Sequence, residues 1–288
     1  MHASVDPGTS SVPSQGGSLK RVLIPVAWFL VLTSLFALAY NQAPLFTSNQ
    51  NQYFLHGYAQ AGFGNLSQDW LANTVDPTPV FSFLVALTLR LFNSGIPFYF
   101  YYALLMGVYF FSLFGIVDRL FPFRTRKLTS GLFIAAVLLL HSAALRYLLQ
   151  QFFGGDWPYL FEGGVAGQRL LGTVFQPSTF GVLLLLSVYL YLSDRKVFAV
   201  LASVLAATVH PTYLLSVAAL TLAFLFDTWR STRKIWPVLQ LGFLALVVVS
   251  PIFSSTYSPS SLKTPLSEFR TLVPTPAAMR VCRKVPSA

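Results

Sequence analysis

Four carboxylates in two polar segments are the first candidates for chemistry in this chain. The first segment, residues 41–97, carries Asp69 and Asp76, and the second, residues 150–173, carries Asp156 and Glu162. Two carboxylates can share a divalent cation, and the glycines beside the second pair give backbone that approaches a ligand closely. The pattern therefore predicts a Mg²⁺ or Mn²⁺ site at the second pair, with the first pair available for acid–base chemistry.

The first pair also has a purely structural interpretation. Acidic side chains often cap the starts of helices, and tryptophans often anchor a protein at a membrane surface. Asp69 and Asp76 would then be helix caps, and Trp70 and Trp157 would be interfacial anchors. The residue types alone leave both interpretations open.

Three basic side chains are candidates for binding an anionic group: Arg146, Arg169 and His210. Ionisable residues inside apolar segments are costly to bury, so they are functional candidates by default. Arg146 lies near the end of its apolar segment, where snorkelling to the membrane surface is an equal alternative. His141, in the same segment, better fits a buried histidine with satisfied hydrogen bonds.

The composition excludes an ordinary soluble domain. Hydrophobic residues make up 55% of the chain and charged residues 10%, and the mean hydropathy is +0.62. The net charge of +10 does not indicate nucleic-acid binding, because the basic residues stand directly beside apolar runs. Cys282 is the single cysteine, which excludes an intrachain disulfide and a cysteine-based metal site.

The basic residues predict the topology of the apolar runs. They cluster at 20–21, 119–127, 195–196 and 230–234. Cytoplasmic loops are enriched in Lys and Arg, so these clusters should share the cytoplasmic side and the two acidic segments should face outward. Spanning helices are predicted near 22–40, 98–117, 128–149, 174–192, 197–209, 212–226 and 235–252. The fold class is therefore an all-α, polytopic transmembrane bundle of about seven spans, multi-pass in a bacterial plasma membrane with a cytoplasmic N-terminus.

Two segments need separate treatment. Residues 78–92 are apolar but reach only about 22 Å as a helix, so we expect an outer-face juxtamembrane helix that does not cross. Residues 197–226 lie between two basic clusters and break at His210-Pro211, which predicts a short helical hairpin with its tip below the outer surface. One kinked helix of the same length is the alternative.

The two ends of the chain differ in character from the bundle. Residues 1–21 are expected to form a disordered cytoplasmic leader, followed by an uncleaved signal-anchor helix or, alternatively, a cleaved signal peptide. Residues 253–288 are rich in Ser, Pro and Thr, and are expected to be a polar exterior tail or a truncated end.

Three short motifs in the order of these parts resemble the GT-C superfamily of membrane glycosyltransferases. They are Asn51-Gln52-Tyr53, Gln68-Asp69-Trp70, and the run from Asp76-Pro77-Thr78-Pro79 to Arg90-Leu91-Phe92. The similarity covers residues 22–252 as one GT-C-like module. At the position of the family's catalytic acid, however, the chain has Asn49-Gln50-Asn51-Gln52, and amides cannot act as general bases.

The resemblance implies transfer of a sugar from a polyprenyl-phosphate donor on the outer membrane face. Asp69 or Asp76 would deprotonate the acceptor, and the basic candidates would bind the lipid-linked phosphate. We hypothesise that Asp69, Asp156 and Glu162 converge on one cavity, with Arg169 and His210 on its lipid side. The partners would be the lipid-linked donor and membrane lipids. A non-catalytic scaffold derived from this fold and a membrane transporter are the alternatives.

Overall fold

The computed structural model describes residues 16–154 and 171–256, and every regular element in these ranges is helical. The all-α prediction is therefore confirmed for the described part of the chain. The α-helices are α1 (Gly16–Ala39), α2 (Gln50–Ala61), α3 (Pro79–Phe92), α4 (Ile96–Leu120), α5 (Lys127–Leu140), α6 (Ala143–Phe153), α7 (Val182–Leu192), α8 (Lys196–Val209), α9 (Leu214–Thr232) and α10 (Ile235–Thr256). Short 3₁₀ turns cover Leu66–Gln68, Pro177–Gly181 and Pro211–Tyr213.

The helices have the apolar character of a membrane protein. In the described residues, α4 and the unit Pro211–Thr232 are long and apolar enough to cross a membrane, with 25 and 22 residues. The bent pair α5 and α6 adds a third crossing if it is counted as one span. The other apolar helical stretches have 10–17 residues each. The described part thus contains two or three spans by this measure, fewer than the seven predicted.

Aromatic contacts show that α1 and α4 are antiparallel. The ring centroids of Trp28 and Phe114 are 5.7 Å apart, and those of Phe36 and Phe110 are 5.5 Å apart. The helices approach so closely that a Cβ placed on Gly107 would lie 1.9 Å from the Thr33 hydroxyl oxygen. The start of α1 therefore lies beside the end of α4.

The contacts of α4 with the segment around α7 show that α7 runs parallel to α4. Near the start of α4, the ring of Phe98 stacks on Phe175 at a centroid distance of 5.9 Å. Nearer its end, Phe111 meets Tyr189 of α7 at 5.5 Å. The ends of α4 and α7 therefore lie on the same side of the bundle.

Helices α8 and α9 form a hairpin beside α7. At the start of α9, the Tyr213 hydroxyl donates to the Ser178 carbonyl before α7 at 2.7 Å. About fifteen ångströms further along the axis of α9, the ring of Tyr191 of α7 stacks on Phe224 of α9 at a centroid distance of 4.1 Å. Since α9 runs parallel to α7, and α8 connects the end of α7 to the start of α9, α8 runs antiparallel to both and packs against them. The helix break predicted at His210-Pro211 is present, whereas α9 continues to Thr232 rather than ending near 226.

These directions bring the basic clusters 119–127, 195–196 and 230–234 together with the start of α1. We call this side of the bundle the basic end. The opposite side, which we call the loop end, holds α2, α3, residues 171–181 and the turn at 210–213. The charge pattern alone predicted this segregation.

Helix α3 lies across the loop end and does not run along the bundle. Near its start, Phe81 is 5.3 Å from Phe175, and near its end the Thr88 hydroxyl is 3.3 Å from the Tyr101 hydroxyl. Both contacts are at the level of the first turns of α4. Helix α3 also packs on α2, where a Cβ on Gly57 would be only 2.6 Å from Val85.

The single helix predicted at 128–149 is wrong. The structure has two helices, α5 and α6, bent by 54° at a break that contains His141 and Ser142. The Ser142 hydroxyl caps α6 by accepting from the Leu145 amide at 3.0 Å. The apolar run continues through the break, so hydropathy gave no sign of it, but a serine N-cap is a local start signal for a helix.

Candidate functional site

Three segments that are distant in sequence meet at the loop end. They are α2 from the first polar segment, residues 171–181 after the second polar segment, and the turn between α8 and α9. The side chains that join them include Gln50, Tyr53, Phe175, His210 and Tyr213. The loop end is thus the place where side chains from three separate segments come into contact.

Gln50 fixes α2 to the segment around Phe175. The side chain is fully buried, its Oε1 accepts from the Phe46 amide at 2.6 Å, and its Nε2 donates to the Phe175 carbonyl at 2.9 Å. Both functional atoms of the amide are therefore used by backbone groups. Gln50 is therefore a structural residue that joins two segments of the chain.

Residues 171–181 are held by backbone and side-chain hydrogen bonds from several directions. The Tyr102 hydroxyl donates to the Gly172 carbonyl at 2.6 Å, and the Ala43 amide donates to the Thr173 carbonyl at 2.8 Å. Gln176 donates from its Nε2 to the Ser178 hydroxyl at 2.8 Å. These bonds give the loop end a fixed wall made of backbone and small polar groups.

His210 lies at the buried tip of the α8–α9 hairpin. Its side chain is 6% exposed, and its ring stands edge-on to Tyr53 and Tyr213 at centroid distances of 6.3 and 5.5 Å. Within the described residues its Nδ1 is shielded from solvent and has no hydrogen-bond partner. A buried imidazole nitrogen without a partner is costly, so it is a candidate for binding a ligand oxygen.

Asp76 begins the turn that leads into α3. Its Oδ1 accepts from the Thr78 amide at 2.8 Å in a local turn just before the helix, whereas the N-cap residue of α3 is Thr78 and has no side-chain cap bond. The Oδ2 of Asp76, however, is shielded from solvent and has no partner among the described residues. Thr78 itself is buried, and α3 reaches Phe175 one turn later through Phe81. Asp76 therefore combines one oxygen that holds a turn with a second, shielded oxygen that has no partner in the part of the chain that the structure describes.

Asp69 is in a different environment. It is exposed, and its Oδ1 accepts from the amides of Leu71 and Ala72 at 2.8 and 3.2 Å, which closes a local turn. His56 of α2 holds this turn through a 3.0 Å contact between its Nδ1 and the Ala72 carbonyl. Asp69 thus closes a turn after the 3₁₀ helix Leu66–Gln68, and it does not cap the start of a helix as the structural interpretation had it.

The remaining predicted site residues divide into two groups. Arg146 is half-buried in α6, one turn after Ser142. Asp156, Glu162 and Arg169 lie outside the described residues, so the metal site and the convergence of Asp69 with Asp156 and Glu162 stay predictions. In the ranges 16–154 and 171–256, no three His, Cys, Asp or Glu side chains form a group that could hold a metal ion.

His141 is a buried histidine whose two ring nitrogens both have partners. Its Nδ1 is 2.7 Å from the Val137 carbonyl, and its Nε2 is 2.9 Å from the Tyr109 hydroxyl. Since a carbonyl only accepts, Nδ1 carries the proton and Nε2 accepts from Tyr109. This satisfied arrangement is the alternative that the sequence favoured for His141.

The structural role of Gln50 was not predicted, although the sequence of α2 carries a signal for it. Gln50, Phe54 and Gly57 recur at i, i+4 and i+7, and all three are buried on one face of α2. This periodicity favours a position inside the fold for the Gln50 side chain.

Comparisons of the chain with family models, with curated proteins and with solved structures find no match.

Proposed function

We propose that this chain is a GT-C-like integral membrane glycosyltransferase, which transfers a sugar from a polyprenyl-phosphate donor to an acceptor hydroxyl at the loop end. The observation that carries the proposal is the shielded Oδ2 of Asp76, which has no partner among the described residues. Such an oxygen is costly to bury unless a donor arrives, and an acceptor hydroxyl is a suitable donor.

The proposed reaction uses the side chains as follows. The acceptor oxygen attacks the anomeric carbon of the donor and gives its proton to Asp76. The bond between the anomeric carbon and the phosphate oxygen breaks, and its electron pair stays on the polyprenyl phosphate. Arg146 and the predicted Arg169 offset the phosphate charge, and His210 binds one of its oxygens.

The buried amide of Gln50 supports the assignment of the base to Asp76. Gln50 stands where the family has an acid, but both of its functional atoms bind backbone groups. A base must therefore come from elsewhere in the first polar segment. Between the two candidates, Asp69 uses its carboxylate to close an exposed turn, whereas Asp76 keeps one oxygen for a ligand.

The proposal includes a seven-span topology with the basic end in the cytoplasm. The seven spans would be α1, α4, the α5–α6 pair, α7 with its preceding 3₁₀ turn, α8, α9 and α10. This orientation follows from the charge rule, and it puts the loop end at the outer surface. A divalent cation at Asp156 and Glu162 would add positive charge beside the phosphate.

The test is a donor-consumption assay on the purified full chain. Short-chain polyprenyl phosphates carrying different hexoses or pentoses are supplied together, and release of free polyprenyl phosphate is measured by mass spectrometry. Asp76→Asn should lower turnover by about 10²-fold or more. Asp69→Asn is the matched control, because it removes the same charge from the same segment, and it should retain most of the activity.

The outcomes separate the proposed function from its alternatives. Full turnover in Asp76→Asn with loss in Asp69→Asn would transfer the role of base to Asp69. Donor binding without any turnover in the wild-type chain would support a non-catalytic scaffold. Movement of the intact donor across a vesicle membrane would support a transporter.

A further inference from the structure

Two neighbouring cavities open at the basic end, between α1, α4 and α5. The first has a volume of about 440 Å³ and the second about 400 Å³. Trp28, Phe114 and Arg124 line both cavities, so the two share a wall. Each is within the range of volumes that hold small ligands, and together they form one composite depression, which we call the basic cavity.

The basic cavity is positively charged. Arg119 and Arg124 line its first part, and Arg124 and Lys127 line its second part. Within the described residues, none of these three cations forms an ion pair. Unpaired cations that converge on a cavity favour an anionic ligand, because the ligand removes their mutual repulsion.

Asp118 is the acidic residue in the lining of the cavity, and it already has a structural role. Its Oδ1 accepts from the backbone amides of Phe123 and Arg124 at 3.3 and 2.9 Å. The carboxylate thus shapes the turn after α4 by binding backbone amides, and the Arg124 side chain is left for other partners.

The shared wall offers a further hydrogen-bond donor. The indole Nε1 of Trp28 is shielded from solvent and lacks an acceptor in the described part of the chain.

Apolar side chains continue outward from the cavity. Leu23, Ile24 and Val26 beside the lining residue Pro25 are about half exposed or more, and Leu128 and Leu132 of α5 are 76% and 62% exposed. If α4 crosses a membrane, as its length and apolar character allow, these side chains would face the acyl region. Positive charge in a cavity with apolar surface beside it matches the two parts of a phospholipid.

We propose that the basic cavity binds the headgroup of one anionic phospholipid, with its acyl chains along the exposed apolar faces of α1 and α5. The phosphate accepts hydrogen bonds from Arg124 and Lys127, and Arg119 closes the first part of the cavity. The site lies at the opposite end from Asp76 and His210, and it does not depend on the proposed transferase activity.

The site differs from general attraction of basic loops to an anionic surface. Arg230 and Lys234 belong to the same basic end, but they do not line either of the two cavities. They therefore provide a matched control in which the same charge is removed from the same membrane side. Gly131 provides a second, independent test of the cavity, since it lines the second cavity and a Cβ there would meet nothing within 4 Å in the described residues.

The experiment titrates the full chain, purified in detergent, with dioctanoyl phosphatidylglycerol and with dioctanoyl phosphatidylcholine, and measures the first binding event by native mass spectrometry. Phosphatidylglycerol should bind about tenfold more tightly than the zwitterionic lipid. The double variant Arg124→Gln/Lys127→Gln should lose about tenfold or more in affinity for phosphatidylglycerol. Arg230→Gln/Lys234→Gln should change it by less than about twofold.

Gly131→Phe keeps every charge but fills the cavity, and it should weaken the binding of phosphatidylglycerol as strongly as the double variant does. Circular dichroism and size-exclusion chromatography check that each variant is folded, and Gly131→Phe carries the test if the charge variant does not fold. Equal losses in both double variants, or unchanged binding in Gly131→Phe, would overturn the proposal. Displacement of the lipid by equimolar inorganic phosphate would also overturn it, since the site would then take a free anion.

Discussion

The side-chain amide of Gln50 donates to the backbone carbonyl of Phe175 across 125 residues of sequence, at a distance of 2.9 Å. Through this bond the helix of the first polar segment is fastened to the chain that follows the second. The bond is fully buried, so water cannot replace either partner. The geometry of the loop end therefore depends on an uncharged residue in the middle of a polar run.

Gln50→Ala should destabilise the fold by about 2–4 kcal/mol, because it leaves the Phe46 amide and the Phe175 carbonyl buried without partners. Thermal unfolding followed by circular dichroism in detergent measures the effect. Asn51→Ala, at the exposed neighbouring position, should cost less than about 0.5 kcal/mol. Equal effects of the two substitutions would contradict the stabilising role of the hydrogen bonds of Gln50.

Gln50→Glu introduces a carboxyl group in place of the amide, and it should also destabilise the protein. A carboxylate cannot donate to the Phe175 carbonyl, and burying its charge against that oxygen is unfavourable. We expect a loss of about 2 kcal/mol or more and no gain in transferase activity. A stable and more active Gln50→Glu protein would show that position 50 is catalytic.

Gly107→Ala should lower stability by about 1–3 kcal/mol, because the added Cβ would meet the Thr33 hydroxyl of α1. Gly131→Ala in α5 is the control, since its Cβ would meet nothing within 4 Å in the described residues. There we expect a stabilisation of about 0.5–1 kcal/mol from the higher helix propensity of alanine. The double variant Gly107→Ala/Thr33→Gly should recover part of the packing loss in the same unfolding assay.

Single cysteines introduced at Thr125 and Ser94, after replacement of Cys282 by serine, test the orientation of the bundle. Thr125 lies in the turn between α4 and α5 at the basic end, and Ser94 lies between α3 and α4 at the loop end. An impermeant maleimide added to intact cells should label the cysteine at Ser94 and not the one at Thr125. The reverse pattern would place the basic end outside.

Most of the apolar helices, and the gathering of charge at one end, could be predicted because they follow from hydropathy and from the placement of Lys and Arg, whereas the polar helix α2 was not predicted. Local signals of the same kind predicted two further features. The length of the apolar run predicted the separate helix at 79–92, and the proline predicted the break at His210-Pro211. The break at His141 could not be read from hydropathy, since the residues on both sides are apolar. A serine that caps a helix is also common on exposed surfaces, so Ser142 alone did not predict it.

The candidate site was harder to predict because its arrangement depends on long-range contacts. Their positions in the sequence make Asp69 and Asp76 equally good candidates for the catalytic base. Only the fold shows that Asp69 closes an exposed turn, whereas the Oδ2 of Asp76 is shielded from solvent. His210 was identified from its neighbour Pro211, a local signal. Its contacts with Tyr53 and Tyr213 require the fold.

The hairpin of α8 and α9 also constrains how the chain enters a membrane during synthesis. Helix α8 has 14 residues, which span about 21 Å, less than the hydrocarbon core of about 30 Å. By itself it is too short to remain in the bilayer as a stop-transfer segment when it leaves the ribosome. Helix α9 runs back to the side where α8 begins and packs against it, so the two are expected to leave the translocation channel as a pair. A ribosome stalled after Val209 would thus expose a segment with no stable place in the lipid, and release of the chain into the bilayer would wait until α9 had been made.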